Sequence, residues 1–198
     1  GKTECFFYPI ISEILKENAE QRQRRGIRAI ILYPTNALIH SQEERLTEYL
    51  NTEANRRLSR PISFCLYNGA LEQRAPESTF YRINNRKDLY NVDAAADEYG
   101  TPDIVLTNFS MLEYMLLRKK DRDILSATSV TLKHLVLDEA HTYTGANATE
   151  MALQIRRLLL AMQSSNINHR MPSVQYYATS ATFAGDRNAL HHFASTLF

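Results

Sequence analysis

The chain has 198 residues, 44% of them hydrophobic, and its 23 Lys and Arg residues nearly balance its 22 Asp and Glu residues. This length and composition allow one sizeable core and favour a single globular domain. The formal net charge of +1 excludes a strong overall electrostatic attraction to nucleic acid or to an anionic membrane. Any contact with a polyanion must therefore depend on a local cluster of charges or donors.

The two cysteines, Cys5 and Cys65, each lie within an apolar run. This placement is typical of small buried thiols and not of a secreted disulfide framework. The chain also carries no targeting signal and no apolar stretch of 18 or more residues, which predicts a soluble cytoplasmic protein that does not associate with a membrane.

The first part of the chain predicts a helix followed by two β-α units. Apolar residues recur at helical spacing over residues 6–15, where Pro9 is expected to kink the helix. A buried strand is predicted over 27–32, followed by a helix to Leu50 that Thr35 or Asn36 caps. A second short strand over 62–67 follows.

Residues 70–100 are polar and weakly periodic. We interpret them as an irregular insertion outside the sheet core, on the ligand side because it follows a strand. Beyond it the pattern predicts strands over 104–106, 134–137 and 174–178 and helices over 109–116, 148–162 and 186–197. Such alternation implies an α/β fold with a mostly parallel sheet and helices on both faces.

The strand over 134–137 runs directly into Asp138, Glu139, Ala140 and His141. An isolated acidic pair of this kind is most often a plain turn. However, open α/β sheets bind ligands beyond the carboxyl ends of their strands, and oxygen ligands suit Mg²⁺. We therefore expect Asp138 to hold the metal, Glu139 to orient and polarise the attacking water, and His141 to act as a relay.

The opening residues Gly1-Lys2-Thr3-Glu4 precede a helix in the manner of a phosphate-binding loop. Glycine allows the backbone to approach phosphates, Lys2 reaches the β and γ phosphates, and the Thr3 hydroxyl binds Mg²⁺. A Gly-Lys-Thr tripeptide on its own is usually a surface turn. A phosphate-binding loop is favoured here because it needs an acidic residue at the end of a neighbouring strand to hold the metal, and Asp138 is such a residue. Because no strand precedes this loop, we expect the chain to be a fragment.

The strand over 174–178 ends in a second hydroxyl-bearing segment, Ser180-Ala181-Thr182. Taken alone it is an ordinary helix-capping turn. If its strand neighbours the acidic strand, its hydroxyls can meet His141 across the mouth of the sheet. We therefore predict that this segment couples to the acidic loop.

Five segments occur in order along the chain: Gly1-Lys2-Thr3, Tyr33-Pro34-Thr35-Asn36-Ala37-Leu38, Thr107-Asn108 to Met111-Leu112, Asp138-Glu139-Ala140-His141 and Ser180-Ala181-Thr182. They resemble motifs I, Ia, Ib, II and III of a superfamily 2 DEAD/DEAH-box helicase. The resemblance covers nearly the whole chain and implies that residues 1–198 form the first RecA-like domain of a P-loop NTPase, beginning within the P-loop. It implies ATP and Mg²⁺ as cofactors.

The resemblance also implies nucleic-acid contacts where strands end, DNA being the favoured partner. Hydroxyl, amide and backbone N–H groups there would grip phosphates without reading bases. The segment 33–38, together with Thr142-Tyr143-Thr144-Gly145 after the acidic segment, is similar to DNA helicases of the mitomycin-repair and phage-defence kind. The residues assigned to nucleic acid are Pro34, Thr35, Asn36, Asn68, Gly69, Thr107 and Asn108.

Two groups of arginines precede strands and so lie at the opposite edge of the sheet, where we expect a solvated face. They are Arg22, Arg24, Arg25, Arg28, Arg56, Arg57 and Arg60. The insertion offers further cations beside aromatic residues that could stack with bases, but its six acidic residues outnumber its four cations, so a nucleic-acid role for its first half is a hypothesis beside a partner surface or a plain loop. These cations are Arg74, Arg82, Arg86 and Lys87.

The resulting hypothesis is the ATP-binding half of a helicase or translocase whose second RecA-like domain lies outside the chain. Because that domain supplies the arginines that stabilise the transferring phosphate, the fragment alone is expected to be nearly inactive. A nucleotide-dependent switch or scaffold in a repair or phage-defence complex is the first alternative. An RNA helicase is the second, since no residue was found that reads a 2′-hydroxyl.

Overall fold

The computed structural model describes residues 3–69, 76–143, 145–166 and 173–180. Within these ranges the strands are β1 (Ala29–Tyr33), β2 (Phe64–Tyr67), β3 (Ile104–Asn108), β4 (His134–Leu137) and β5 (Gln175–Ala178). The helices are α1 (Glu4–Leu15), α2 (Ala19–Gln23), α3 (Asn36–Leu50), α4 (Glu53–Arg56), α5 (Arg86–Leu89), α6 (Phe109–Leu117), α7 (Arg122–Thr128) and α8 (Ala146–Ser165).

The five strands form one parallel sheet in the order β2-β3-β1-β4-β5. Ile31 of the central strand β1 aligns with Leu106 of β3 and with Val136 of β4. The predicted α/β class is therefore confirmed. Because β4 and β5 are neighbours, the acidic loop and the segment after β5 leave the sheet side by side.

Helices cover both faces of the sheet, as predicted. Ile30 and Leu32 of β1 pack on the face that also buries residues of α6, α7 and α8. Ile31 and Tyr33 point to the opposite face, which α1 and α3 cover. This alternation follows from the two-residue repeat of a strand and creates two apolar layers around one sheet.

Several element boundaries match the sequence predictions. Thr35 caps α3 by accepting a hydrogen bond from the Leu38 N–H at 3.4 Å. Helix α1 continues through Pro9. Helix α7 was not predicted, because the charges before it were interpreted as the end of a helix. The predicted helix over 186–197 lies outside the described residues.

Over the part that the structure describes, residues 76–100, the insertion is largely irregular, as predicted, but its predicted position outside the core and on the ligand side is wrong. Ile83 and Leu89 are fully or almost fully buried in the core. The Phe64 N–H donates to the Tyr81 carbonyl at 2.9 Å, and the Ile83 N–H donates to the Phe64 carbonyl at 2.8 Å. This segment therefore runs alongside the amino end of β2, not on the ligand side. Because β2 and β3 are parallel, the chain between them must cross back to that edge.

The prediction of a solvated arginine face is also wrong for four of the seven residues, Arg22, Arg25, Arg28 and Arg60, which are buried. Arg22, Arg28 and Arg60 surround Asp103, with nitrogen-to-Oδ1 distances of 3.1, 3.2 and 2.5 Å respectively. They do lie at the amino edge, as expected. Burial would raise the pKa of Asp103, but the three guanidinium groups outweigh it and hold the pKa at about 2.

The two cysteines differ. Cys65 is buried, as predicted, whereas Cys5 is exposed on α1, so its assignment to the core is wrong. Helical periodicity explains the error, because Phe6 and Phe7 turn toward the sheet and Cys5 turns away. Among the described helices none is both long and apolar enough to cross a bilayer.

Candidate functional site

The acidic loop begins where β4 ends. The Asp138 N–H donates to the Leu32 carbonyl at 2.9 Å, which extends the β1–β4 pairing by one residue. The residue is only 7% exposed, and no described cation forms a salt bridge with it. A largely buried, unneutralised carboxylate is costly, so this position favours a bound cation.

Glu139 has a left-handed backbone, with φ 50° and ψ 46°. This conformation is unfavourable for a residue with a side chain and is typical of sites where function fixes the geometry. The turn is held by the Ala140 N–H, which donates to the Thr179 carbonyl at 2.7 Å, and by the Thr142 N–H, which donates to the Glu139 carbonyl at 2.9 Å. Asp138 continues the direction of β4, whereas the chain turns at Glu139. The Glu139 carboxylate is therefore displaced from the line of the strand.

Thr179 joins the two acidic residues, although the sequence analysis did not assign it to the site. Its hydroxyl donates to Asp138 Oδ1 in a very short contact and accepts from the Glu139 N–H at 3.3 Å. The signal in the sequence was its place directly after a strand. Without the strand order, nothing distinguished it from the hydroxyl residues that follow.

His141 faces two partners through the same ring nitrogen. Its Nδ1 lies 3.2 Å from Ser180 Oγ, with hydrogen-bond geometry, and 3.2 Å from Glu139 Oε2. The predicted contact between Ser180 and His141 is therefore present. Ala181 and Thr182 lie outside the described residues, and their assigned coupling role stays a prediction.

Two buried phenols flank Asp138. The hydroxyls of Tyr33 and Tyr143 have no hydrogen-bond partner among the described residues. Burial, followed by the negative charge of Asp138, raises the pKa of Tyr143 to about 12 and also raises the pKa of Tyr33. Both phenols therefore stay neutral and remain available as donors at physiological pH.

The opening loop is described only from Thr3, which is buried at the start of α1. The Thr3 carbonyl accepts from the Phe6 and Phe7 N–H groups at 3.3 and 3.1 Å. Gly1 and Lys2 lie outside the described residues. Glu4 Oε1 is 3.1 Å from Arg45 Nη1, which ties the first turn of α1 to α3.

The residues assigned to nucleic acid form a patch at the ends of β1 and β3. Pro34 is half-buried, whereas Thr35 and Asn36 are exposed. Asn108 Nδ2 donates to Asn36 Oδ1 at 2.7 Å, and Asn108 Oδ1 accepts from the Met111 N–H at 2.9 Å. One amide thus caps α6 and fixes the neighbouring loop.

The remaining assigned residues differ in accessibility. Thr107 is fully buried, and its hydroxyl donates to the Tyr67 carbonyl at 2.7 Å, so this side chain links β3 to β2. Asn68 is also buried, whereas Gly69 is exposed. Of these three, only Gly69 presents accessible backbone to a ligand.

A cleft of about 290 Å³ opens beside this patch, between Pro34, Phe109 and Tyr143. It shares Phe109 and Glu150 with a second cleft of about 480 Å³ that runs between α6 and α8. Their walls combine aromatic rings with acidic side chains. Such walls suit stacking better than phosphate binding.

The acidic loop, with a hydroxyl residue from the neighbouring strand bound to it, lies at the carboxyl edge of a parallel sheet, which is where open α/β folds bind their ligands. The sequence model of the DEAD/DEAH box helicase family matches residues 1–190. The chain therefore belongs to this family.

Two relatives illustrate the similarity. The Druantia protein DruE of Escherichia coli (strain UMEA 4076-1) is 30% identical over 242 residues, covering 80% of this chain and 13% of that protein. The uncharacterized ATP-dependent helicase YprA of Bacillus subtilis (strain 168) is 28% identical over 158 residues, covering 80% of this chain and 17% of that protein. The chain thus spans less than a fifth of either relative.

Solved structures share the fold. The DUF1998 helicase MrfA bound to DNA superposes with a TM-score of 0.66 at 24% identity, covering all of this chain and 22% of that chain. MrfA bound to DNA and AMPPNP gives a TM-score of 0.63 at 22% identity with the same coverage. At this identity the likeness establishes the fold.

Proposed function

We propose that this chain is the ATP-binding domain of an ATP-dependent helicase or translocase that acts on DNA. The observation that carries the proposal is the acidic loop, in which Asp138 and Glu139 end a central strand and share the Thr179 hydroxyl. Family membership over residues 1–190 supports ATP as the nucleotide. The solved structure of MrfA bound to DNA and AMPPNP supports both ligands.

The donor chemistry at the carboxyl edge fits Mg²⁺. Asp138 and the hydroxyl of Thr3 would hold the ion, because both are oxygen ligands and Asp138 lacks a cation partner among the described residues. When bound, Mg²⁺ neutralises charge on the β and γ phosphates. Gly1 and Lys2 would cradle and contact those phosphates, and Glu4 would adjoin the nucleotide from the first turn of α1.

Glu139 is the residue that orients and polarises water in this proposal. Its left-handed backbone and the short distances from His141 to Glu139 and Ser180 hold the carboxylate near one position. Because His141 lies close to both groups, it can transmit a change in the position or charge of the Glu139 carboxylate to the segment that begins with Ser180. This gives His141 the relay role.

The nucleic-acid surface would use Pro34, Thr35 and Asn36 together with Asn108 and the backbone at Gly69. These groups grip phosphates through amide, hydroxyl and N–H donors without reading bases. DNA is favoured over RNA because DNA is the nucleic acid bound in the solved MrfA structures.

The rest of the longer protein would supply the second RecA-like domain. Less than a fifth of either relative is covered by this chain, which leaves ample length for that domain. An arginine supplied from it would account for a rate factor of about 10³ to 10⁵. The isolated chain should therefore hydrolyse ATP barely at all. Assignment to a repair or phage-defence complex belongs to the same proposal.

The test replaces Glu139 by Gln in the full-length protein and measures ATP hydrolysis with single-stranded DNA, duplex DNA and RNA in parallel. We expect hydrolysis to fall by about 10² or more, as for loss of a positioned general base, while ATP and DNA still bind. Glu48→Gln, at an exposed position on α3, is the matched control and should leave hydrolysis unchanged.

The outcomes separate the candidates. Normal turnover in Glu139→Gln contradicts the role assigned to this carboxylate. Stimulation of the unmodified protein by RNA alone indicates an RNA helicase. ATP binding without any stimulation by nucleic acid indicates a switch or scaffold module.

A further inference from the structure

A polar pocket of about 320 Å³ lies at the amino edge of the sheet, opposite the edge that carries Asp138. It forms where the crossover segment 76–100 returns past the residues that precede β2. Its walls include Arg25, Arg56, Ser59, Arg60, Ser63 and Phe80. A polar cavity of this size is large enough for a small ligand.

Arg25 lines this pocket. The side chain is about nine-tenths buried, with 8% exposure. Its Nε donates to the Ala94 carbonyl at 3.0 Å, and its Nη2 donates to the carbonyls of Ala95 and Glu98. Its Nη1 has no hydrogen-bond partner among the residues that the structure describes. Three carbonyls thus fix the guanidinium while leaving two N–H groups unused.

Arg60 has the same incomplete pairing. It is 2% exposed, its Nε donates to the Arg22 carbonyl at 2.5 Å, and its Nη2 lies 2.5 Å from Asp103 Oδ1. Its buried Nη1 has no partner among the described residues. An unpaired buried donor costs about 1–3 kcal/mol, so the Arg60 Nη1 group favours a bound acceptor, and Arg25 brings a second unpaired donor group to the same pocket.

The other walls are compatible with an anion. The guanidinium of Arg56 stacks on the Phe80 ring at 4.5 Å from its centroid. Ser59 and Ser63 bring hydroxyl groups. Stacking holds the side chain of Arg56, which lines the pocket and whose Nε also lies 3.8 Å from Glu53 Oε1.

The carboxylates near the pocket, two of which (Asp97 and Glu98) line it beside three arginines, compensate these arginines only in part. Glu98 Oε2 already accepts from the Ala95 N–H at 3.1 Å, and Asp97 is exposed on the rim. Asp103 is already shared by three guanidinium groups, including that of Arg60. The cavity therefore retains an excess of positive charge and of donors.

We propose that this pocket binds a phosphate group, either as free inorganic phosphate or as the phosphate of a small phosphorylated metabolite. Guanidinium groups match phosphate oxygens in a bidentate geometry. The unused N–H groups of Arg25 and Arg60, the Arg56 guanidinium and the serine hydroxyls supply donors on several sides. The site is separate from the nucleotide loop, since the two lie at opposite edges of the sheet.

The test uses the full-length protein and titrates inorganic phosphate and ribose 5-phosphate in a calorimeter, with and without saturating AMPPNP and Mg²⁺. Ser59→Glu places a carboxylate in the pocket and should weaken phosphate binding at least about tenfold by like-charge repulsion. Arg56→Gln should weaken it about two- to fivefold, as for loss of an exposed cation. Both changes leave the buried arginines in place.

Arg57→Gln is the matched control, because Arg57 neighbours Arg56 and pairs weakly with the same Glu53 but does not line the pocket. Its affinity should equal that of the unmodified protein. Tighter binding of ribose 5-phosphate than of phosphate identifies a metabolite, and equal binding identifies the free anion. Absence of saturable binding, equal binding by all variants, or loss of binding when AMPPNP is present overturns the proposal.

Discussion

At the scale of single residues, the site depends on a side chain that bridges two others. The Thr179 hydroxyl serves Asp138 as donor and the Glu139 backbone as acceptor. Asp138 is assigned to the metal and Glu139 to the water, so one hydroxyl sets the relative position of both functions. A hydrogen bond to a charged group is worth about 1.5–3 kcal/mol.

We predict that Thr179→Val lowers the rate of ATP hydrolysis of the full-length protein about tenfold or more. Valine keeps the shape of threonine but removes the hydroxyl, which leaves Asp138 and the Glu139 N–H without this partner. Thr179→Ser keeps the hydroxyl and should retain most of the rate. Steady-state ATPase assays with DNA measure both, and equal loss in the two variants would contradict the bridging role.

The sequence was sufficient to select the candidate residues that directly follow strands, and the roles assigned to them stay predictions. Asp138, Glu139 and His141 were identified because acid after an apolar strand is chemically unusual, and the Ser180 contact followed from assuming that two strands are neighbours. Thr179 was missed because its role depends on the register of β5 against β4. Sequence patterns do not give that register.

At the scale of secondary-structure elements, the crossover between β2 and β3 is the largest departure from the sequence predictions. Its apolar residues are too sparse to show a period, yet Ile83 and Leu89 are buried. The buried arginines were missed for a related reason. Their charges are compensated by carbonyls and carboxylates, and the Arg60 carbonyl, the Glu98 carbonyl and Asp103 are distant in sequence from the arginines that they bind.

We predict that Leu89→Ala lowers the free energy of unfolding by about 2–5 kcal/mol, because it removes a fully buried side chain. Lys87→Ala, on the exposed side of the same short helix, should change it by less than about 0.5 kcal/mol. Urea unfolding followed by circular dichroism measures both. A peripheral insertion would instead give similar small effects for the two changes.

At the scale of the whole molecule, the amino ends of three strands are joined through one carboxylate. Arg28 precedes β1, Arg60 precedes β2, and Asp103 precedes β3, so the ion pairs connect elements far apart along the chain. The alternation of strands and helices predicted a parallel sheet. It could not predict this junction, because charge patterns do not reveal which buried ions meet.

We predict that the protein loses stability as the pH falls from about 4 to about 2. The pKa of Asp103 is depressed from 3.8 to about 2 in the folded state, so its contribution is present above the unfolded value and is lost as protons bind. The expected loss is about 2 kcal/mol. Urea titrations across this pH range measure it, with Asp97→Asn as a control at an exposed carboxyl.

Two further variants make this prediction specific. Asp103→Asn leaves the arginines uncompensated and should cost about 3–5 kcal/mol at neutral pH, with a flatter dependence below pH 4. Arg22→Gln removes one of the three cations and should move the transition to higher pH. An unchanged pH profile in both variants would assign the acid sensitivity to other carboxyl groups.

The crossover beside β2 has a consequence for how copies of the protein meet. In the described sheet β2 is an edge strand, and edge strands with open N–H and C=O groups recruit strands from other molecules. At Phe64 both backbone groups are already bonded to Tyr81 and Ile83. The same segment that returns the chain to β3 therefore blocks intermolecular strand addition at the start of this edge, and so protects the folded protein against aggregation there.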